Sequence, residues 1–491
     1  MANVVLYNPA ALKIKSEKSM PPLGLMALSS CLKKNGFTVE IIDGVLEKNP
    51  QKKIINSLDD TICVGITCLT GPQIADALSI AKIVKENKPE IPIVWGGFHP
   101  TLLPEETIRH ELVDMLVRGQ GEETIVELVN ALKNKLPLNN IQGLTYKEKG
   151  KIISNPSRPL TDINKFPMLD YFGVNIEKYI INFPLINSRI LPYSSSRSCP
   201  HRCGFCAISK FYNRIYLPYP AERVVKEIEF FVKKFNINGI LFQDDNFFVN
   251  KKRVEDICDL IIEKKLDIKW GALSRCNYFA RYDKSFLDKL IESGCTYINF
   301  GVESGSSRIL KLIKKDITIK DVLETAKKCK KMKVNTLFNF ILGFPTETTE
   351  DFNKTIELID KIKKIYPDAM FEIFSFIPLP STELFDKAIK FGLKSPSSLE
   401  EWARFSFFQS TKHLVWCNKK QKELINTLVY LINFLFSAQN REELVAQKKL
   451  WKRIAYKILS QDAKFRWKRK FFAYGYEWKI IEKLSKSILK I

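Results

Sequence analysis

Short apolar runs alternate with amphipathic helical patterns along the first 135 residues. The apolar runs predict buried strands at residues 4–7, 39–42, 63–67 and 91–95. The spacing of apolar positions predicts helices near residues 23–35, 72–88 and 122–134. Such alternation is typical of a doubly wound parallel sheet, whose ligands bind beyond the carboxyl ends of the strands. Unusual loops fall at those ends and predict a bound nucleotide-like group; they are residues 21–24, 67–71, 96–99 and 118–122.

A second series of strands and helices begins near Ile190. Its predicted strands are residues 191–194, 239–242, 269–273, 297–300, 334–342 and 370–376. Strand and helix units repeated over about 200 residues are typical of a parallel barrel, here an open one, with its chemistry at the carboxyl ends of the strands. After Pro380 the alternation stops, and a helical, aromatic and basic region follows.

These patterns predict an α/β protein in four parts. The parts are a doubly wound parallel sheet at 1–135, a linker at 136–188, an open parallel β/α barrel at 189–390 and a basic helical C-terminal domain at 391–491. The linker carries turn signals, prolines and a short hairpin near 144–153. Of the 491 residues 45% are hydrophobic and 27% charged, which excludes wholesale disorder.

The charge is strongly basic and concentrated at one end. Lys and Arg number 77 against 54 Asp and Glu, a net charge of +23, which favours an anionic partner. Residues 411–491 hold 19 basic and 6 acidic residues with aromatics between them. Such a segment covers the barrel, lies on an anionic membrane surface or contacts an acidic substrate. We see no RNA-binding signature and do not expect a nucleic-acid partner.

The eleven cysteines and the start of the chain predict a cytoplasmic protein, soluble or peripheral to the inner face of the membrane. The longest apolar stretch, residues 424–437, is shorter than the roughly 20 residues of a spanning helix.

Three cysteines stand close together after the first barrel strand, at Cys199, Cys203 and Cys206. Thiolates at this spacing are typical of an iron-sulfur cube with one iron left open. A zinc site is the alternative, although structural zinc usually takes four ligands and no second cysteine pair lies near.

At this Cys-x3-Cys-x2-Cys loop the sequence resembles the radical S-adenosylmethionine enzymes. The resemblance implies that the open iron binds S-adenosylmethionine and that one-electron reduction yields a 5'-deoxyadenosyl radical. It implies S-adenosylmethionine contacts at the ends of four barrel strands, by Asp245, Ser274 with Arg275, Glu303 and Gly343. Helix capping is the alternative for the acidic residues, including the neighbouring Asp244.

The N-terminal part resembles the cobalamin-binding domain that is often fused to these enzymes. The matching positions are Pro22, Gly24, Thr67, Gly96, Gly97, His99, Gly119, Gly121 and Glu122. Small glycines let backbone pass close to a corrin ring. The chain lacks the Asp-x-His-x-x-Gly cobalt-binding loop of the mutases, so His99 is not assigned as a cobalt ligand, and Gln120 departs from the usual Glu. An empty, degenerate domain is the alternative.

The resemblance implies a cobalamin-dependent radical enzyme that methylates an unactivated carbon of a small-molecule or lipid-like substrate. It also implies a one-electron reductant such as flavodoxin or ferredoxin. Three alternatives remain open: a ring-forming cyclase similar to the anaerobic magnesium-protoporphyrin ester cyclase, a tRNA-modifying methylthiotransferase, and a cobalamin or cluster sensor without turnover. The methylthiotransferases usually carry extra N-terminal cluster cysteines, and Cys31, Cys63 and Cys68 lack that spacing.

Overall fold

The first sheet of the protein has seven strands in the order β2-β1-β3-β4-β5-β6-β7. The computed structural model describes residues 3–10, 20–405, 411–436 and 450–472. The strands are β1 Val4–Asn8, β2 Val39–Asp43, β3 Cys63–Thr67, β4 Ile93–Gly96, β5 Met115–Val117, β6 Leu144–Glu148 and β7 Lys151–Ser154. Strands β1 to β5 are parallel, whereas β6 and β7 add to the sheet in antiparallel register. The predicted parallel sheet is present, extended by β5 and by the hairpin.

Helices cover both faces of this sheet. They are α1 Leu23–Lys34, α2 Pro50–Asn56, α3 Gln73–Asn87, α4 Phe98–Leu102, α5 Pro104–Arg109 and α6 Glu122–Asn134. Alternate residues of β1 point to opposite faces: Val4 packs with residues of α1 and α6, and Val5 packs with residues of α3. Each face therefore has its own apolar layer, as a doubly wound sheet requires.

The second sheet has the order β16-β15-β14-β13-β12-β9-β8 and is parallel except for β8. Its strands are β8 Ile181–Phe183, β9 Ser188–Tyr193, β12 Gly239–Phe242, β13 Lys269–Ser274, β14 Cys295–Glu303, β15 Asn335–Leu342 and β16 Met370–Ser375. The short strands β10 Ser196–Arg197 and β11 Leu217–Pro218 pair beside it. The sheet curls into the predicted open barrel.

Most helices of the second half cover the outer face of the barrel. They are α8 Ala221–Phe235, α9 Lys251–Glu263, α10 Cys276–Phe279, α11 Lys284–Glu292, α12 Ser307–Leu312, α13 Ile319–Met332 and α14 Thr349–Ile365. The short helix α7 Ile208–Phe211 instead packs against α4 of the first half, through Phe211 and Phe98. Short 3-10 segments among the described residues are Ile163–Lys165, Ile176–Lys178 and Phe247–Val249.

The segment predicted to link the two halves takes part in both sheets. It supplies β6 and β7 to the first sheet and β8 to the edge of the second. The pattern of short strands and turns is the same for a linker and for edge strands, so the sequence did not distinguish them. The boundaries at residues 135, 188 and 390 stay predictions.

The C-terminal region packs against both halves. Its helices are α15 Glu383–Lys390, α16 Leu399–Ala403, α17 Lys419–Phe436 and α18 Leu450–Arg469. Trp402 of α16 is buried in the apolar core of the first sheet, and the Trp467 indole of α18 donates to Asp360 of α14 at 2.9 Å. Among the described residues, no helix has the length and apolar character needed to cross a membrane. The predicted basic tail also includes residues 437–449 and 473–491, which lie outside the described residues.

Candidate functional site

The cysteine loop follows β9, at the carboxyl end of the first parallel barrel strand. Two adjacent carboxylates after β12 hold its start in place. Asp244 accepts hydrogen bonds from the Ser195 amide at 2.6 Å and the Ser195 hydroxyl at 2.7 Å. Asp245 accepts one from the Ser198 amide at 2.9 Å. Both carboxylates therefore fix the loop, a role that sequence reasoning did not consider.

Asp244 and Asp245 differ in their surroundings. Asp244 is fully buried, and burial raises its pKa, against the opposing effect of the Arg253 guanidinium and the serine donors. Arg253 is also buried and donates to the Ser195 carbonyl at 2.8 Å. Asp245 lines a cavity between the two halves of the chain, and desolvation by the surrounding protein raises its pKa to about 6. Of the two, only Asp245 presents a carboxylate to a space that a cofactor can enter.

The three thiols lie among hydrogen-bond donors. The Arg275 Nη1 lies 3.4 Å from the Cys203 sulfur, and the Asn246 amide lies 3.9 Å from the Cys199 sulfur. Burial raises the pKa of Cys199 and raises that of Cys206 to about 11, while nearby N–H groups oppose the rise. Iron binding displaces the thiol protons, since the thiolate is the ligand. Three sulfurs with donors around them fit a ligand set for a cluster.

Within the described parts of the chain, no three or more His, Cys, Asp or Glu side chains converge closely enough to hold a metal ion. A cube spreads its thiolates over separate irons, whereas a single zinc ion draws them to about 2.3 Å from one centre.

Glu303 ends β14 with its carboxylate buried and paired with a lysine. The Lys315 ammonium lies 2.6 Å from Glu303 Oε1, and both side chains are under 10% exposed. Glu303 adopts a positive φ of 71°, which is rare for a residue other than glycine. A Cβ on the neighbouring Gly301 would stand 2.5 Å from Glu303 Oε1. Sequence reasoning missed Lys315, because a lysine in a Lys-Lys-Asp run is usually solvated.

Arg275 and Ser274 follow β13 at the same end of the barrel. The Arg275 guanidinium donates to the Lys315 carbonyl as well as to Cys203. The Arg275 side chain thus connects the cysteine loop to the Glu303–Lys315 pair, instead of standing free to bind a ligand carboxylate. Ser274 is buried beside it, and its hydroxyl lies 3.5 Å from the Arg275 carbonyl.

The Gly343 turn ends β15 and is closed by a buried acid. The amides of Gly343 and Phe344 donate to Glu347 Oε2 at 2.6 and 3.0 Å. Gly343 has a φ of +92°, and a Cβ there would meet Leu414 of the C-terminal region at 2.6 Å. Leu414 therefore covers one side of the turn. The other oxygen of Glu347 is buried and accepts no hydrogen bond from the residues that the structure describes.

We expect the stability of the protein to fall as the pH rises toward 8, because of Glu347. Burial raises the pKa of this carboxyl group from 4.5 to about 8. The folded state then binds more protons than the unfolded state between these pH values, so the free energy of unfolding decreases with rising pH. Glu347→Gln should flatten this dependence in denaturant titrations at pH 6 and 8.5. The exposed Glu357→Gln should leave it unchanged; an unaltered slope in Glu347→Gln would contradict the assignment.

A cavity of about 400 Å³ lies where the carboxyl ends of the first sheet meet the beginning of the barrel. Predicted residues that line it are Pro22, Gly24, Thr67, Gly96, Gly97, Gly119, Gly121, Glu122 and Asp245. Predicted residues that do not line it are His99, Ser274, Glu303 and Gly343. The first sheet thus shares this cavity with Asp245 and with Ser196 and Arg197, which come just before the cysteine loop; the three cysteines themselves do not line it.

His99 is placed differently from its neighbours in the loop. Its ring is fully buried, with Nδ1 3.1 Å from the Thr70 hydroxyl and an edge-to-face contact with Trp402. Burial lowers its pKa to about 4, so the ring is neutral at pH 7. The side chain packs toward α16 and away from the cavity, which the loop sequence alone did not reveal.

Glycines at the cavity wall leave space that side chains would otherwise fill, and a large flat ligand requires such space. A Cβ on Gly24 or Gly119 would meet no atom within 4 Å, so open space lies beyond both. Gly97, with a φ of +93°, packs its backbone against Thr67 and leaves no room for a side chain. These residues fit the group that the sequence predicted, a corrin.

A buried ion pair joins the two halves at this cavity. Arg197, two residues before Cys199, pairs with Glu122 at the beginning of α6, and the Glu122 side chain is 3% exposed. Both residues line the cavity, together with Tyr212. Sequence reasoning assigned Glu122 to the cofactor but missed Arg197, since their contact depends on how the halves meet.

Models of two protein families match this chain. The Radical SAM superfamily matches residues 193–359, and the B12 binding domain matches residues 9–129. An uncharacterized methyltransferase of Pyrococcus horikoshii is 38% identical over 345 residues, which are 69% of this chain and 72% of that protein. The anaerobic magnesium-protoporphyrin IX monomethyl ester cyclase of Rubrivivax gelatinosus is 28% identical, over 69% of this chain and 61% of that protein.

Two solved structures share the fold at low sequence identity. The methyltransferase TsrM from Kitasatospora setae, with cobalamin and a 4Fe–4S cluster bound, has a TM-score of 0.67 at 15% identity, covering 94% of this chain and 99% of that one. OxsB, with aqua-cobalamin and S-adenosylmethionine bound, has a TM-score of 0.70 at 18% identity, covering 100% and 76%. The chain therefore belongs to the radical S-adenosylmethionine superfamily, as an enzyme of its cobalamin-dependent branch, whose cofactors are a 4Fe–4S cluster, S-adenosylmethionine and cobalamin.

Proposed function

We propose that this enzyme methylates an unactivated carbon of a small-molecule or lipid-like substrate. The observation that carries the proposal is the shared cavity. Loops of the B12-binding half line it together with Asp245, which contacts the cysteine loop. When bound, the cofactors supply a 5'-deoxyadenosyl radical that removes a hydrogen atom from the substrate and a methyl group that takes its place. The P. horikoshii relative, named a methyltransferase, supports this reading.

In this proposal the side chains of the loops bind and orient the cofactors. Cys199, Cys203 and Cys206 hold three irons of the cluster. Arg275 donates a hydrogen bond to the Cys203 sulfur. Hydrogen bonds to the sulfurs of a cluster are one of the factors that set the reduction potential of the cluster. Asp245 keeps the loop aligned through the Ser198 amide.

In this proposal the remaining site residues bind S-adenosylmethionine or cobalamin. Glu303, held by Lys315, would contact S-adenosylmethionine together with the Ser274 and Gly343 strand ends. Glu122 and Arg197 would close the wall between corrin and cluster and exclude water from it. Radical S-adenosylmethionine enzymes use external reductants; here we propose flavodoxin or ferredoxin.

A ring-forming reaction is the second candidate, because the cyclase of R. gelatinosus matches 69% of this chain. Its cofactor residues would be the same. The two reactions differ in whether S-adenosylmethionine also gives up its methyl group.

The experiment is an anaerobic incubation of the reconstituted protein with cobalamin, S-adenosylmethionine and a strong reductant. Chromatography measures 5'-deoxyadenosine and S-adenosylhomocysteine, and the visible spectrum records bound corrin. We expect both nucleosides and bound corrin. Formation of 5'-deoxyadenosine without S-adenosylhomocysteine would contradict methyl transfer and favour the ring-forming reaction. Neither nucleoside, with the cluster intact, would overturn the proposal in favour of a sensor.

We also propose that α18 contacts the inner face of an anionic membrane. Its residues Ile458 and Phe465 are each 60% exposed, and the Arg469 guanidinium lies 6.0 Å from the Phe465 ring centroid. Exposed apolar residues among cations are typical of interfacial helices. Phe465→Gln should reduce cosedimentation with phosphatidylglycerol vesicles. The control Phe391→Gln, which changes an exposed phenylalanine outside α18, should not. Equal sedimentation of all three proteins would contradict this contact.

A further inference from the structure

Three polar side chains form a row across the concave face of the barrel, on neighbouring strands. They are Asn299 on β14, Asn339 on β15 and Glu372 on β16. We propose that this row is a recognition site for a protonated amine that is carried on an apolar body. That the amine belongs to the substrate rests on the function proposed above; the existence of the site does not.

The opposite face of the same strands establishes which way the row points. Phe300, Phe338 and Phe371 stack on one another there, and Phe300 contacts Phe279 of the outer helix α10. Side chains alternate along a strand. The residue before Phe300, and the residues after Phe338 and Phe371, therefore face the interior of the barrel.

Hydrogen bonding within the row leaves one acceptor unused. The Asn339 amide nitrogen donates to Asn299 Oδ1 at 2.8 Å. Asn339 Oδ1 is shielded from solvent, and it accepts no hydrogen bond from the described residues. Buried polar atoms of this kind nearly always have a partner in a native protein. A ligand with an N–H group would provide one.

Glu372 adds a negative charge beside that acceptor. It pairs in register with Asn339, so the two side chains lie next to each other on the same face. No described residue forms an ion pair or hydrogen bond with its carboxylate, and the side chain is partly buried. Burial raises the pKa of Glu372. An unpaired carboxylate in such a place costs free energy that a bound cation would offset.

The side chains around the row are mostly apolar, as a ligand with an apolar body requires. Below it, toward the amino ends of the strands, Ile186, Ile190, Tyr297 and Leu337 form a closed apolar cluster. Partly exposed apolar side chains share the face of the row, namely Leu241, Leu273, Ile341 and Met370. The row is therefore a polar spot on a mostly apolar part of the concave face of the barrel.

The position of the row separates it from the predicted S-adenosylmethionine contacts. Asn299 precedes Glu303 by four residues on β14, and Asn339 precedes Gly343 by four residues of chain. At about 3.3 Å per residue this is roughly 13 Å along the strands. A ligand whose amine reaches the row would thus direct its other end toward the carboxyl ends of the strands, where the cysteine loop lies.

The test uses three probes with one apolar body: phenethylamine, 2-phenylethanol and 3-phenylpropionate. Binding to the full reconstituted protein with S-adenosylmethionine is measured without reductant, by ligand-observed NMR and calorimetry. We expect phenethylamine to bind most tightly and 3-phenylpropionate most weakly. Glu372→Gln should weaken phenethylamine binding about tenfold, the size of a hydrogen bond to a charged group. The exposed Glu357→Gln should leave it unchanged.

Two results would overturn the site. They are equal or preferred binding of 3-phenylpropionate by the unaltered protein, which requires no variant, and unchanged phenethylamine affinity in Glu372→Gln. Formation of 5'-deoxyadenosine is measured separately with reductant. Its presence without amine preference would leave the proposed function standing and remove the site. Amine preference without 5'-deoxyadenosine would do the reverse.

Discussion

Cys203→Ala is expected to abolish both cluster binding and cleavage of S-adenosylmethionine. Cys203 is the central and most buried of the three thiols, and the Arg275 guanidinium lies against its sulfur. With the sulfur removed, two thiolates remain for the cube, and the buried Arg275 loses one of its acceptors but keeps the Lys315 carbonyl. Iron and sulfide content after anaerobic reconstitution should fall to background, and so should 5'-deoxyadenosine. This is the largest single effect we expect.

The matched control for this variant is Cys258→Ala. Cys258 is a buried thiol of α9 on the outside of the barrel, so its loss tests the general cost of removing a buried sulfur. We expect full iron content and undiminished cleavage in this control. Full cleavage in Cys203→Ala would remove the cysteine loop from the site, whereas equal losses in both variants would show a folding defect only.

The strand ends could be predicted from the sequence because their signals are local. Buried strands such as β3 read as continuous apolar runs, and the loops that follow them stand out by their glycines and by the cysteine spacing. The same reasoning missed β5, which has three residues, and did not show that residues 136–188 contribute edge strands to both sheets, because edge strands and turns look alike. Short edge strands carry too few residues for a periodic pattern.

The pairings inside the site could not be predicted, because they join residues far apart in the chain. Arg197 meets Glu122 across the joint between the halves, and Lys315 meets Glu303 inside the barrel. The sequence gives each residue a charge but no partner. His99 illustrates the reverse case: its loop motif points to the cofactor, yet Trp402, which is some 300 residues away, packs against its ring.

Gly24→Trp is expected to remove cobalamin from the protein while leaving the cluster in place. Gly24 is the second residue of α1, lines the cavity, and has no atom within 4 Å of the position of a Cβ. Its φ is not positive, so a side chain imposes no backbone strain. An indole there would occupy space that a corrin needs, and we expect affinity for cobalamin to fall about 100-fold, as for a severe steric clash.

Gly24→Ala separates the volume of the new side chain from the loss of glycine. Alanine favours the helix and adds one methyl group, so cobalamin binding should stay close to that of the unaltered protein. Equilibrium dialysis measures bound cobalamin, and electron paramagnetic resonance measures the reduced cluster. Because Gly24 belongs to the first half of the chain and the three cysteines to the second, where none of them lines the cavity, Gly24→Trp should keep its cluster and still form 5'-deoxyadenosine while S-adenosylhomocysteine disappears. Cobalamin bound normally by Gly24→Trp would show that the corrin lies elsewhere, and the shared cavity would then no longer support methyl transfer.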